Sequence, residues 1–133
     1  MQKNKIAPPT LPNLGFPWAV RVTDFKELVV ISGIAPMDAS GKIADSDVAG
    51  QFVCEMNHIK ELLAEADMTI ENLVSLTVTL TEAANIHRNW DAFLKAYLEY
   101  FPADEGPAAG TLRVVRNLSH PKMLVEVEGI AAK

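Results

Sequence analysis

Hydrophobic and polar positions alternate most regularly between Val74 and Thr81, where Val74, Leu76, Val78 and Leu80 take turns with Ser75, Thr77, Thr79 and Thr81. A period of two in β-branched residues predicts a strand with one buried face. Elsewhere the period lengthens. Val48, Phe52, Met56, Ile59, Leu63 and Ala66 share one narrow stripe at about 100° per residue, which predicts a helix from about Asp47, a favourable N-cap, to Ala66. Ile86, Trp90, Phe93, Tyr97 and Phe101 predict a second helix, stopped by Pro102. Apolar runs at Trp18–Thr23 and Leu28–Ser32, parted by Asp24–Lys26, predict a hairpin. Another is expected from about Thr111–Asn117 and Met123–Ile130, turning around Leu118–Pro121. Pro8, Pro9, Pro12 and Pro17 favour an extended lead-in over residues 1–16. Ile34–Asp45, with Pro36, Asp38, Ser40 and Gly41, reads as turns, and Asp104–Gly110 as a loop.

The order is therefore ββαβαββ, an α+β arrangement in which each single-striped helix covers the same face of a sheet. The length of 133 residues suits one domain spanning 1–133. The other sheet face is polar: Ser and Thr on the middle strand, Glu126 and Glu128 on the last. Such a face is either wet or closed by another subunit.

Charge narrows the partners. Twelve basic against seventeen acidic residues give a net charge of −5, with no basic stripe for phosphates, which argues against nucleic acid and anionic membranes. The longest strongly apolar run, Leu28–Ile31, falls far short of the ~20 residues that span a bilayer. Residues 1–12 carry charge with no apolar stretch behind them, so a cytoplasmic protein without a secretory signal is expected. The single cysteine, Cys54, excludes an internal disulfide and a CxxC metal site. His58, His87 and His120 lack metal-ligand spacing, so neither metal nor other cofactor is expected. Cys54 and His58 lie one helical turn apart, as a nucleophile and its base would. They sit away from the apolar stripe with no oxyanion donor in the pattern, so an inert surface thiol is expected. Glu126 and Glu128, about 6.6 Å apart on one strand face, superficially suit a glycosidase pair. The two tryptophans and the absence of long carbohydrate-binding loops argue against it.

Five stretches, in order, carry a resemblance. Leu28-Val-Val-Ile-Ser-Gly-Ile-Ala-Pro-Met-Asp38, Asp47-Val-Ala-Gly-Gln51, Asn72-Leu-Val-Ser-Leu-Thr-Val-Thr-Leu-Thr81, Tyr97-Leu-Glu-Tyr-Phe101 and Val125-Glu-Val-Glu-Gly-Ile-Ala131 resemble motifs of the RidA/YjgF family. That family hydrolyses reactive enamines and imines to ketones and ammonia. The similarity covers about residues 14 to 132 and implies a chorismate-mutase-like α+β subunit that forms a homotrimer, with small-molecule clefts between subunits.

Site residues follow only from that resemblance. The family glutamate that positions the hydrolytic water matches Glu126. The turn that lines the pocket matches Ser32 and Gly33. The aromatic of the early Gly-Pro-Tyr motif falls on Phe16, which lacks the hydroxyl, with Trp18 close by. The family's carboxylate-clamping arginine is missing: Pro107-Ala108-Ala109-Gly110 stands where Pro-Ala-Arg-Ser is expected, and an ungapped count back from Glu126 reaches Thr111 instead. Losing such a clamp costs roughly 2–5 kcal/mol, which implies altered substrate preference toward neutral or weakly anionic ligands with an apolar body. Arg113 is the nearest cation. Across a hairpin pairing Asn117 with Lys122 it lies opposite Glu126, at about 5 Å. With Ala109 opposite Glu126 it lies some 13 Å further along. It is then either a cross-strand ion pair or a relocated anion site. Two functions fit: a deaminase-type hydrolase of C=N or enamine substrates, or a non-catalytic trimeric module binding small ligands or proteins.

Overall fold

The computed structural model describes residues 1–14, 16–102 and 109–133. Its elements run β1 (Gln2–Ile6), β2 (Ala19–Thr23), β3 (Leu28–Ile34), α1 (Val48–Glu65), β4 (Leu73–Thr81), α2 (Ile86–Tyr100), β5 (Leu112–Val115) and β6 (Val125–Ala132). Local chemistry sets the helix ends. Asp47, in extended backbone, accepts the Gly50 N–H through Oδ1 at 2.9 Å and starts α1. At the other end Asp67 is left-handed (φ 53°). The Met68 N–H then reaches Leu63 O at 2.8 Å and the Asp67 N–H reaches Ala64 O at 3.0 Å, a Schellman closure with aspartate in the usual glycine place. Asn85 (φ 45°) turns the chain into α2.

Four strands form a mixed sheet in the order β3-β6-β4-β5. β6 runs antiparallel to both β3 and β4, while β5 runs parallel to β4. One face buries Leu76, Val78, Leu80, Val125 and Val127 under Phe52, Met56, Ile59 and Leu63 of α1 and Phe93 of α2. Phe52 and Phe93 meet edge-on, their centroids 5.0 Å apart. The two helices thus cover one face, as the periodicity predicts. Trp90 departs from its stripe and stays 43% exposed.

Neither expected hairpin forms among the described residues. β2 pairs with β1, residue Gln2 opposite Thr23, in a separate two-stranded ribbon, so the lead-in contains a strand. β3 pairs with β6. β5 does not pair with β6, because both edges of β6 are already taken by β3 and β4. The α2 crossover instead returns the chain alongside β4 in the same direction, the ordinary way to make a parallel neighbour. The stretch Ile34–Asp45 closes on a Met37–Ile43 bridge. The loop expected at Asp104–Gly110 lies outside the described residues up to position 108, as do Pro107 and Ala108.

The outer sheet face carries Leu28, Val30 and Ser32 of β3, Glu126, Glu128 and Ile130 of β6, Ser75 to Thr81 of β4 at alternate positions, and Arg113 of β5. Val30 is 71% exposed on it. No described helix is long and apolar enough to cross a membrane.

Candidate functional site

The site is one row across the outer face. Between Ile31, opposite Gly129, and Ile34, opposite Val127, β3 uses one residue more than β6. This bulge holds Ser32 and Gly33, and bulges commonly re-aim side chains beside functional sites. A Cβ on Gly33 would stand 2.3 Å from Glu126 Oε1 and 2.8 Å from its Cδ. The absent side chain is therefore what lets the Glu126 carboxylate lie across the bulge. Glu126 is opposite Thr79, and Thr79 is opposite Arg113. Arg113 Nε donates to Thr79 Oγ1 at 2.9 Å, and its Nη2 is 3.9 Å from Glu128 Oε1, both side chains half-exposed. An exposed pair of this kind is worth under about 1 kcal/mol.

This geometry corrects the register argument. Arg113 shares Glu126's row but lies two strands away, about 10 Å at strand spacing, rather than directly opposite. Ala109 lies in the row of Ser75, its N–H donating to Val74 O at 3.1 Å and its carbonyl accepting the Leu76 N–H at 2.9 Å. Thr111, whose carbonyl accepts the Val78 N–H at 2.9 Å, comes between these rows. The ion pair of Arg113 is with Glu128.

Phe16 and Trp18 touch, centroids 5.5 Å apart, and Trp18 Nε1 donates to Pro12 O at 2.9 Å. Phe16 and Thr111 both line an apolar cavity of about 450 Å³ with Trp90, Phe93, Tyr97 and Leu112. Its floor, Leu76 and Val78, belongs to the helix side of the sheet, whereas Glu126 shares the opposite face with Thr79. Within one chain the structure thus sets Glu126 and Arg113 in one row, brings Gly33 of the neighbouring bulge against the Glu126 carboxylate, and gathers Phe16 and Thr111 elsewhere.

Two buried polar residues escape the sequence reading. Gln51 donates through Nε2 to Ala44 O (3.1 Å) and Lys122 O (2.9 Å) and accepts the Leu124 N–H at 2.8 Å. Glu55, also on the core side of α1, is 0% exposed, and neither carboxyl oxygen has a hydrogen-bond partner. Burial, and secondarily the charge of Glu126, push its carboxyl up to about 10, while the nearby Val127 N–H opposes this from outside hydrogen-bonding geometry.

Cys54 is dormant. His58 Nε2 lies 3.7 Å from its Sγ but only 2.6 Å from Met37 O, to which it donates, so it has no lone pair for the thiol at that nitrogen. Burial first, then the negative charges of Asp38 and Glu61, push the thiol up. Among the described residues no three His, Cys, Asp or Glu side chains converge as metal ligands.

Fold and site together define an α+β subunit whose open sheet face bears a carboxylate set over a glycine bulge. The chain belongs to the RidA/YjgF family: residues 16–133 match the family described as Endoribonuclease L-PSP. Its fold is similar to that of the Rid-family protein YyfB of Yersinia pestis, with 27% identity, a TM-score of 0.83 and both chains covered completely. A Pseudomonas aeruginosa protein is 28% identical at a TM-score of 0.65, over 98% of this chain and 92% of that one. A putative endoribonuclease of Thermotoga maritima, 20% identical with a TM-score of 0.68 over 100% and 98% of the two chains, shares the fold. No curated protein matches the chain.

Gly33→Ala is expected to leave folding stability within about 1 kcal/mol, since the atoms in its way are the movable end of Glu126. It should displace the carboxylate and lower any activity that needs it. Thermal unfolding and turnover, measured together, check both halves.

Proposed function

We propose that this chain is a cytoplasmic, homotrimeric hydrolase of enamine or imine substrates, with Glu126 as the base that activates water. The supporting observation is the Glu126 carboxylate lying across the Ser32–Gly33 bulge, in one row with Thr79 and Arg113. In this reading Glu126 takes a proton from water as the oxygen bonds to the iminium carbon. It returns that proton to nitrogen, and the C–N bond breaks as ammonia leaves and the hydroxyl of the adduct becomes the ketone, releasing its proton. Family membership supports the trimer, in which the polar outer face, with Val30 and Leu28 at its margin, is covered by a neighbour. Arg113 supplies an anion anchor from the row of Glu126, in place of the arginine missing at positions 109 and 111. The runner-up is a trimeric binding module that has kept the face without the chemistry.

Enamines generated in situ test the reading. Glu126→Gln is expected to lower kcat about a hundredfold, the scale of a lost general base. Arg113→Met should raise KM about tenfold for substrates with a carboxylate and leave KM for neutral ones unchanged. If wild type and Glu126→Gln both match buffer while small acids still bind, the binding module is the correct reading.

A further inference from the structure

The cavity between α2 and the start of β5 plays no part in the Glu126 row. Its floor is sealed: Leu76, Val78 and Phe93 are each 6% exposed or less. Its walls are open. Leu14, Phe16, Trp90 and Leu112 are each at least 40% exposed, and all four border the same hollow of about 450 Å³. Single apolar side chains on a surface need no explanation, but four that converge on one concavity do. Trp90, which stays out of the core, has its place here. Rings already frame the space: the Phe93 centroid lies 6.1 Å from that of Trp90 and 6.3 Å from that of Tyr97, tilted by 36° and 34°. On the β5 side Gly110 presents backbone alone, since a Cβ there would run into Leu76 O. The lead-in is itself part of the wall through Leu14 and Phe16, so the space is not kept for that segment.

Charge decides what fits. Among the described residues, none that lines the cavity is ionised at neutral pH. Its polar side chains are the indole N–H of Trp90 and the hydroxyls of Tyr97 and Thr111, and burial holds the Tyr97 phenol above its usual range. A carboxylate entering here would lose its water and meet no cation, because Arg113 is engaged with Thr79 and Glu128 on the other face of the sheet. Size and lining are those of a small-molecule pocket, mostly apolar with a few polar groups. We infer that this cavity binds an uncharged ring compound carrying one hydrogen-bond acceptor, held by the Trp90, Phe93 and Tyr97 rings and Leu112. The site stands without any chemistry at Glu126, which shares the opposite face of the sheet with Thr79.

Acetophenone, a ring with one carbonyl, and benzoate, the same ring with a carboxylate, are the probes for calorimetric titration of the full chain. Acetophenone is expected to bind saturably and about tenfold or more tighter than benzoate, which must shed its hydration without a partner. Methyl NMR signals of Leu94 and Leu112 should move during the titration, and that of Val30, on the outer face, should not. Trp90→Ala, at a half-exposed wall position, should weaken acetophenone about tenfold. Leu112→Glu, which sets a carboxylate at the mouth from an exposed position on β5, should weaken it by a similar factor, with thermal unfolding of both variants confirming that they fold. Benzoate binding as tightly as acetophenone, or signals moving on the outer face alone, overturns the site. So does an acetophenone affinity that falls as protein concentration rises, since a second copy then fills the cavity. Binding at the cavity with no enamine turned over removes the hydrolase reading and leaves the site. Turnover without binding at the cavity does the reverse.

Discussion

Between pH 5 and pH 8 the wild-type fold is expected to lose about 4 kcal/mol through Glu55 alone, at about 1.4 kcal/mol per pH unit. The sign follows from the direction of the shift. In the unfolded chain the carboxyl releases its proton near its ordinary value of 4.5, whereas burial in the fold pushes that release up to about 10. Below the lower value both states hold the proton and nothing is lost. Above it the unfolded chain gains from ionising while the fold cannot, so stability drains away until the upper value is reached. Glu55→Gln keeps the shape and removes the proton, and its stability should not follow that slope. Urea unfolding of the two proteins at one fixed concentration, at pH 5 and at pH 8, isolates the term, since all other groups cancel in the difference. Parallel pH dependences would show that the carboxyl is not enclosed.

Gln51→Ala is expected to lose about 3 kcal/mol at any pH in that range. Its amide is 1% exposed and makes three hydrogen bonds that tie α1 to the chain at Ala44 and to the segment entering β6. Truncation removes about 1 kcal/mol per bond and leaves a hollow, with the Leu124 N–H facing it unpaired. Gln51→Leu fills the space but not the bonds, and should recover less than half of the loss. Recovery of the full stability by leucine would mean that the amide contributes volume and nothing else. Denaturant midpoints of the three proteins decide the matter.

Both residues also mark where the sequence could be read and where it could not. The helices and β4 were legible because each repeats one period over several turns or alternations, and Asp47 ends its pattern with cap chemistry. Position 55 lies at the edge of the α1 stripe, about 20° beyond Val48 at 100° per residue. Its charge argued for solvent, and only the tertiary packing shows that the enclosed face accepts an acid. β5 was misplaced for a different reason. Four residues hold no register information, and the preference for a tight hairpin hides the possibility that both edges of β6 are already occupied. β1 escaped because Gln2, Lys3, Asn4 and Lys5 show no alternation. What holds that ribbon down is remote: Lys3 Nζ donates to Glu71 O and Leu73 O. Within the site, Glu126 and the Ser32–Gly33 turn came from the resemblance, while their contact required the bulge. Arg113 sits beside Thr79 of β4 rather than opposite Glu126 of β6, because the strand order could not be read from its four-residue strand.

The strand order has a consequence for how the chain is made. β6 follows every other strand in sequence yet lies between β3 and β4. As the polypeptide emerges, α1 and α2 can wind from bonds within themselves, and β5 can join β4. The inner edges of β3 and β4 have no partner until residues 125–132 have been synthesised. Joining Leu28 to Ala132 closes nearly the whole chain at once, the kind of distant contact that slows folding. Through that interval the nascent protein carries two bare strand edges beside an uncovered apolar row, open to pairing with neighbouring copies on a polysome.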